Sequence, residues 1–235
     1  MITTVLLDYG NVLAHPTSGS WFQTPKTRGI LGEELFLALE ADPVKKELAF
    51  QTAYQFLNQN HLLHTLEEEI AQFSEFFRIF LHAFGFACDD ALCGRLGRDL
   101  VLNPNKVRFY DDVPYGLLRL KTKYRISLLS DTWPSLRDTL DEKGISGCFD
   151  HMVLSCEHNE TKQGVRLFEI ALAKMGAPAG EIAFVDDSPA NLANAEHCGM
   201  TPVLMNRGER HVAAPYPTVH NLDDVLTLVQ RMNQT

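Results

Sequence analysis

From residue 105 onward, short aliphatic runs alternate with segments of helical periodicity, and several of the runs stop on a polar or acidic residue. That alternation is the signature of βαβ units, which close only as a parallel sheet covered by helices. The pattern predicts strands over Thr4 to Asp8, Arg125 to Ser130, Met152 to Ser155, Ile182 to Asp186 and Pro202 to Met205. Helices are predicted between them at Val113 to Lys121, Pro134 to Lys143, Val165 to Met175 and Pro189 to His197, with a last one from Asp223 to Met232. Pro134 and Pro189 each follow a short polar stretch and are expected at the first helical position, with Thr132 or Trp133, and Ser188 or Asp187, near the caps.

Residues 15–103 break the pattern. Glu33 to Glu40, Pro43 to Asn58, Leu66 to Phe84 and Asp89 to Leu102 carry apolar residues at helical spacing, without a strand signal. The expected architecture is α/β: a doubly wound parallel sheet formed by 1–14 and 104–235, with an all-helical domain inserted over 15–103. Within the insert, Ile70, Phe73, Phe76, Phe77, Phe80, Leu81 and Phe84 spread over much of one helix and predict a bundle core. His61 and His64 lack further ligands for a metal and read as a solvated face.

Charge and cysteine content narrow the function classes. The formal net charge is −9 and the basic residues are scattered, so a nucleic-acid partner is not expected. No apolar run reaches the roughly 18 residues that span a bilayer, and the first strand-like run meets Asp8 too early to serve as a signal-peptide core, which points to the cytoplasm. Five cysteines, an odd set without metal-ligand spacing, predict reduced thiols and a cytoplasmic location. None of them is expected to be catalytic. The polar loop Asn206 to Ala213, with Arg207 and Arg210, has no readable role.

The chemistry concentrates where predicted strands end: Asp8 after the first, Ser130-Asp131 after the second, Asp186-Asp187 after the fourth. The carboxyl edge of an open α/β sheet is where ligands bind. Carboxylates gathered there repel one another, and an oxygen-coordinated hard cation such as Mg²⁺ relieves that repulsion. Lys162, in the loop after the third strand, lies on the same edge and supplies positive charge for an anionic ligand. Ser130 precedes a helix N-terminus, whose free N–H groups favour anions. Taken singly, each of these residues is an ordinary cap or loop residue; their order along the chain gives them meaning.

The order Asp8-Tyr9-Gly10-Asn11-Val12, then Ser130, Lys162 and Asp186-Asp187, resembles the four motifs of the haloacid dehalogenase-like (HAD) hydrolases. The more specific parts are Ser155-Cys156-Glu157 through Lys162 to Phe168, and Phe184 to Ser188 with Asn191, Ala195, Gly199 and Met200. The helical insertion is similar to that family's cap domain. The resemblance implies that Asp8 is the covalent nucleophile and that Ser130 and Lys162 bind phosphoryl oxygens. It also implies that Asp8, the Gly10 carbonyl and Asp186 hold Mg²⁺, with Asp187 either a further ligand or an orienting group. Asp131 is grouped with the phosphate-binding residues and, as a separate hypothesis, is a stand-in proton donor.

The chain departs from the family in places. Most of its phosphatases carry a second Asp two residues after the nucleophile, where Gly10 stands. Dehalogenases also lack that acid, since a departing halide needs no proton. They lack the paired acids of motif IV, however, carry an Arg early in the cap, and have a Tyr six residues after the Lys. Here Asp186-Asp187 is intact, the nearest Arg is Arg28 and the aromatic is Phe168. Asp131 stands where Asn is common, and Gln163 replaces the usual Pro. A subgroup of bacterial sugar-phosphate phosphatases is similar in having a Gly-Asn-Val-like sequence after the nucleophile. The expectation is therefore a Mg²⁺-dependent phosphatase of small phosphorylated metabolites, as monomer or homodimer. A metal-independent 2-haloacid dehalogenase and a phosphometabolite-binding module without turnover are the alternatives.

Overall fold

A computed structural model describes residues 1–208 and 215–234. In chain order its elements are β1 (Thr4–Leu7), β2 (Ala14–Pro16), α1 (Thr27–Leu31), α2 (Glu33–Ala41), α3 (Pro43–Gln59), α4 (Leu66–Phe84), α5 (Asp90–Leu102), β3 (Val107–Phe109), α6 (Val113–Lys121) and β4 (Arg125–Ser130). There follow α7 (Ser135–Glu142), β5 (His151–Leu154), α8 (Arg166–Met175), β6 (Ile182–Asp186), α9 (Pro189–His197), β7 (Thr201–Met205), β8 (Thr218–Val219) and α10 (Leu222–Met232). The described residues divide into an α/β unit, 1–15, 109–132, 136–208 and 215–234, and a helical unit, 16–108 with 133–135.

In the α/β unit the strand order is β5-β4-β1-β6-β7-β8, and every neighbouring pair is parallel. The five expected strands are present within a residue or so at each end, and β8 joins them at the edge. Buried on both faces, the inner strands have no polar side to alternate with, which is why β1 and β6 read as unbroken apolar runs. Leu6, Leu129, Phe184 and Leu204 pack with Leu167, Phe168 and Ala171 of α8 and Leu192 and Ala195 of α9. Val5, Leu7, Leu128 and Val203, which alternate with them, are equally closed from solvent, so the opposite face is covered as well.

The helical unit has its own core. Phe73, Phe76, Phe77, Leu81 and Phe84 of α4 are buried with Ala53 and Leu57 of α3 and Leu96 and Leu100 of α5, the bundle interior that the α4 stripe predicts. α4 is punctuated at both ends. Thr65 and Glu68 form a reciprocal capping box, and Gly85, at φ +102°, ends the helix in the left-handed conformation that glycine adopts freely. Where α4 and α5 cross, Gly97 leaves no room for a side chain: a Cβ there would lie 2.6 Å from the Ser74 amide nitrogen and 2.9 Å from the Ile70 carbonyl.

Four sequence expectations need correction. Cys88 and Cys93 form a disulfide, their Cα atoms 6.7 Å apart across the entry to α5; the turn brings them within bridging distance despite the odd total. The argument from reduced thiols to the cytoplasm loses its support accordingly. His61 is buried rather than solvated, its ring edge-on to Trp133. α7 starts at Ser135, one residue after Pro134, because Trp133 joins Phe22 and Phe73 in the aromatic core of the helical unit and Ser135 bonds Glu69 of α4. The short elements β2, β3, β8 and α1 carry too few residues to show a period and were not foreseen. Of the loop Asn206 to Ala213, residues 209–213, Arg210 among them, lie outside the described residues. No helix among the described residues is long and apolar enough to cross a membrane.

Candidate active site

Asp8 is the first residue after β1, and its amide donates to the Val185 carbonyl at 2.9 Å, carrying the sheet one step further. The chain then turns tightly: the Leu13 and Ala14 amides donate to the Tyr9 carbonyl at 2.9 and 3.1 Å, and the Asn11 amide donates to Ala14 at 2.7 Å. The turn requires φ +54° at Asn11, a conformation that Asn tolerates better than most side chains. Its side-chain amide donates to Asp187 at 2.9 Å. Gly10, which bridges to Ala14, sits inside this turn two residues after Asp8.

Asp186 closes β6, and Ser188 caps α9 with Pro189 at the first helical position. The Asp186 carboxylate is wholly buried and well satisfied. It accepts from the Ser188 amide at 2.8 Å and from the Asn191 side chain at 3.1 and 3.2 Å. Asn191 lies one helical turn into α9, where the helix aims its amide back at the strand end.

Lys162 is the centre of the cluster. Its ammonium lies 2.6 Å from Asp8 Oδ1 and 2.7 Å from Asp186 Oδ2 and is 2% exposed. Its backbone is clamped on both sides: its N–H donates to Asp131 Oδ1 at 2.9 Å, and its carbonyl accepts from Asn194 at 2.8 Å. Asp131 is exposed and meets the cluster through that backbone bond. A carboxylate accepting an amide there positions Lys162; as an acceptor-only group it is poorly suited to holding phosphoryl oxygens. Ser130 is buried at the end of β4, the strand beside β1, with Leu7 paired to Leu128. Among the described residues no hydrogen bond joins its hydroxyl to the cluster. Ser155, at the end of β5, accepts from the Thr132 amide at 2.8 Å and so steadies the loop after Ser130.

Three acids therefore meet one base. Burial, followed by the like charges of Asp186 and Asp187, pushes the Asp8 carboxyl up to about 8 even though Lys162 pulls it down. Burial alone would lower Lys162, but Asp186, Asp8 and Asp131 overcome it and hold the ammonium above its ordinary range. The Lys162 shift reports acids crowded around one ammonium, and the Asp8 shift reports chiefly its burial. Asp8, Asp186 and Asp187 each offer an oxygen, all within 4.8 Å of one another. The donors of an octahedral Mg²⁺ site span about 4.2 Å at most, so adjustment by a few tenths of an ångström closes these oxygens around a hard cation. The all-oxygen donor set and the excess charge fit such an ion, and the Gly10 carbonyl is two residues from Asp8. Cys148 and Cys156 are buried, and burial and Glu169 push the Cys198 thiol upward, so none of the free thiols is poised as a nucleophile.

Sequence reasoning missed the supporting group Asn194, and it quoted Asn11, Ser155 and Asn191 only as motif matches. A polar amide three residues into a helix that follows paired acids was the available signal for Asn191. For Asn194, whose partner is a backbone carbonyl 32 residues away, there was none.

No protein-family model and no curated protein sequence matches the chain. Solved structures match it over nearly its whole length. A 2-haloacid dehalogenase from Pseudomonas syringae pv. Tomato superposes with a TM-score of 0.68 at 18% identity, covering 99% of this chain and 100% of that one. The putative HAD-hydrolase YfnB from Bacillus subtilis, solved bound to magnesium, gives 0.69 at 14% identity, over 97% and 98%. A HAD phosphatase from Thermococcus onnurineus gives 0.58 at 18%, again over 97% and 98%. The fold is thus the HAD fold, a parallel α/β core with a helical cap, as the motif order led one to expect.

Proposed function

We propose that this chain is a Mg²⁺-dependent hydrolase of small phosphate esters that works through an aspartyl-phosphate on Asp8. The observation that carries this reading is the third acid. Asp8, Asp186 and Asp187 bring three acid side chains within 4.8 Å of one another, and Lys162 bridges two of them. A divalent cation offsets the repulsion among these acids and favours the approach of a phosphate dianion that they would otherwise repel. When bound, Mg²⁺ would supply positive charge to the phosphoryl oxygens and to Asp8.

The rest of the work falls to the chain. An Asp8 carboxylate oxygen bonds to phosphorus as the bond from phosphorus to the leaving oxygen breaks, and water then attacks phosphorus to release phosphate and restore Asp8. Lys162 holds the nucleophile's orientation through its bond to Asp8 and offsets charge as the phosphoryl group is transferred. Ser130, on the next strand, is the expected hydroxyl donor to a phosphoryl oxygen. Gly10 offers no proton to the leaving oxygen, help that is worth about 10² to 10⁴ in rate elsewhere. The preferred substrates are accordingly those whose leaving group needs little help, such as acyl phosphates and sugar 1-phosphates.

A second reading, metal-independent dehalogenation, is favoured by the same Gly10 and by the Lys162 ammonium that already bridges Asp8 and Asp186. Hydrolysis of an activated aryl phosphate, with Mg²⁺ and with EDTA, beside chloride release from a 2-chloro acid, separates the readings. The proposal predicts Mg²⁺-dependent phosphate release that is lost in Asp8→Asn. Chloride release unaffected by EDTA, with no phosphate release, would establish the second reading. Tight phosphate-ester binding without either reaction would leave a binding module.

A further inference from the structure

We infer that Arg207, just beyond β7 and two strands away from the nucleophile, is a positioning residue for the turn that carries the site. Its guanidinium is nearly closed from solvent and uses both ends of its fork on Asp112, at 2.7 and 2.9 Å, the residue before α6. A third donor, Nε, points at the Val12 carbonyl at 2.8 Å. The Tyr110 ring lies under the guanidinium at 4.0 Å, and the Tyr110 amide donates to the Leu13 carbonyl at 3.1 Å. Asp112 is itself fixed by the Leu222 amide at 2.8 Å.

An ion pair that only tied β7 to α6 would need the fork alone. Here the planar guanidinium, which no lysine reproduces, also grips the chain one residue after Asn11 and two after Gly10. Val12 and Leu13 are thus held from outside the turn by one assembly, while Asn11 inside it holds Asp187 at 2.9 Å. Fixing Val12 fixes the direction of the Gly10 carbonyl and the Asn11 amide relative to Asp8. The kinetic part of this inference rests on the proposed phosphatase reading; the mechanical part does not.

The test compares Arg207→Lys, or Arg207→Gln should the first fold poorly, with wild type and with Val225→Ala. The last removes buried methyls from α10, and Val225 makes none of the hydrogen bonds above. Amide exchange in EDTA at Asn11, Leu13 and Ala14 should quicken about tenfold or more in the Arg207 variants and stay at the wild-type rate in Val225→Ala. With an activated aryl phosphate, kcat should fall about tenfold and the Mg²⁺ half-saturation should rise, with KM within about twofold, the scale usual for groups that orient ligands. Unchanged exchange in the turn, or losses of exchange protection and kcat that match Val225→Ala at equal loss of stability, would overturn the inference. If wild type hydrolyses nothing, the proposed function fails, and the exchange measurement alone decides the role of Arg207.

Discussion

Replacing Asp8 by Asn should make the metal-free protein more stable. Burial and two neighbouring acids push this carboxyl from an ordinary 3.8 to about 8, so the folded state disfavours its charge. For an acid whose folded pKa is raised, the folded protein binds more protons than the unfolded one, and stability falls as pH rises from about 4 to about 8. By this linkage the ionisation of Asp8 costs about 4 kcal/mol at pH 7 and less than half of that at pH 5. Asn escapes that cost but replaces an ion pair with Lys162 by a bond from the ammonium to an uncharged amide oxygen, a loss of about 1 to 2 kcal/mol. The net gain at pH 7 is about 2 to 3 kcal/mol, or several degrees in Tm for a chain of this size. Urea unfolding of both proteins in EDTA at pH 5 and pH 7 reads this directly, because groups remote from Asp8 cancel in the difference. The advantage of Asn should widen by about 3 kcal/mol between the two pH values. An Asp8→Asn protein that is less stable at pH 7, or whose advantage does not change with pH, would refute the reasoning.

Asn191→Ala removes the amide that braces both Asp186 oxygens and should weaken Mg²⁺ half-saturation about 10- to 100-fold, read by titrating phosphatase activity. Gly97→Ala drives a methyl into the backbone of α4 at a point that cannot give way, costing about 1 to 3 kcal/mol in urea unfolding; a neutral or stabilising result would mean that α4 and α5 do not cross so closely. Phe76→Ala empties the most enclosed aromatic site of the helical unit and should cost about 3 to 5 kcal/mol by the same assay, with a small effect contradicting the packing described.

The α/β core was legible because parallel strands buried on both faces write continuous aliphatic runs, and because their acids fall at one edge. Asp8, Lys162, Asp186 and Asp187 do meet there. The sequence was less informative about what holds them. Arg207 sat in a loop with no readable role, because its partners, Val12 and Asp112, are 195 and 95 residues away and no local period links them. His61 misled for a related reason: a polar residue between short segments reads as solvated unless one knows that Trp133 will fold over it. Asp131 was grouped with ligand-binding residues by its neighbour Ser130, whereas it spends an oxygen on the Lys162 backbone. In each case a tertiary partner, and not the local pattern, decides the role.

The central claim is that Asp8 carries the phosphoryl group. Wild type mixed with an acyl or activated aryl phosphate and Mg²⁺, quenched in acid within the first turnover and digested, should yield a peptide bearing a phosphoryl group on Asp8. That adduct should disappear on a longer chase and never form in EDTA. Phosphate released in the first turnover without a phosphorylated Asp8 at any quench time would contradict the account.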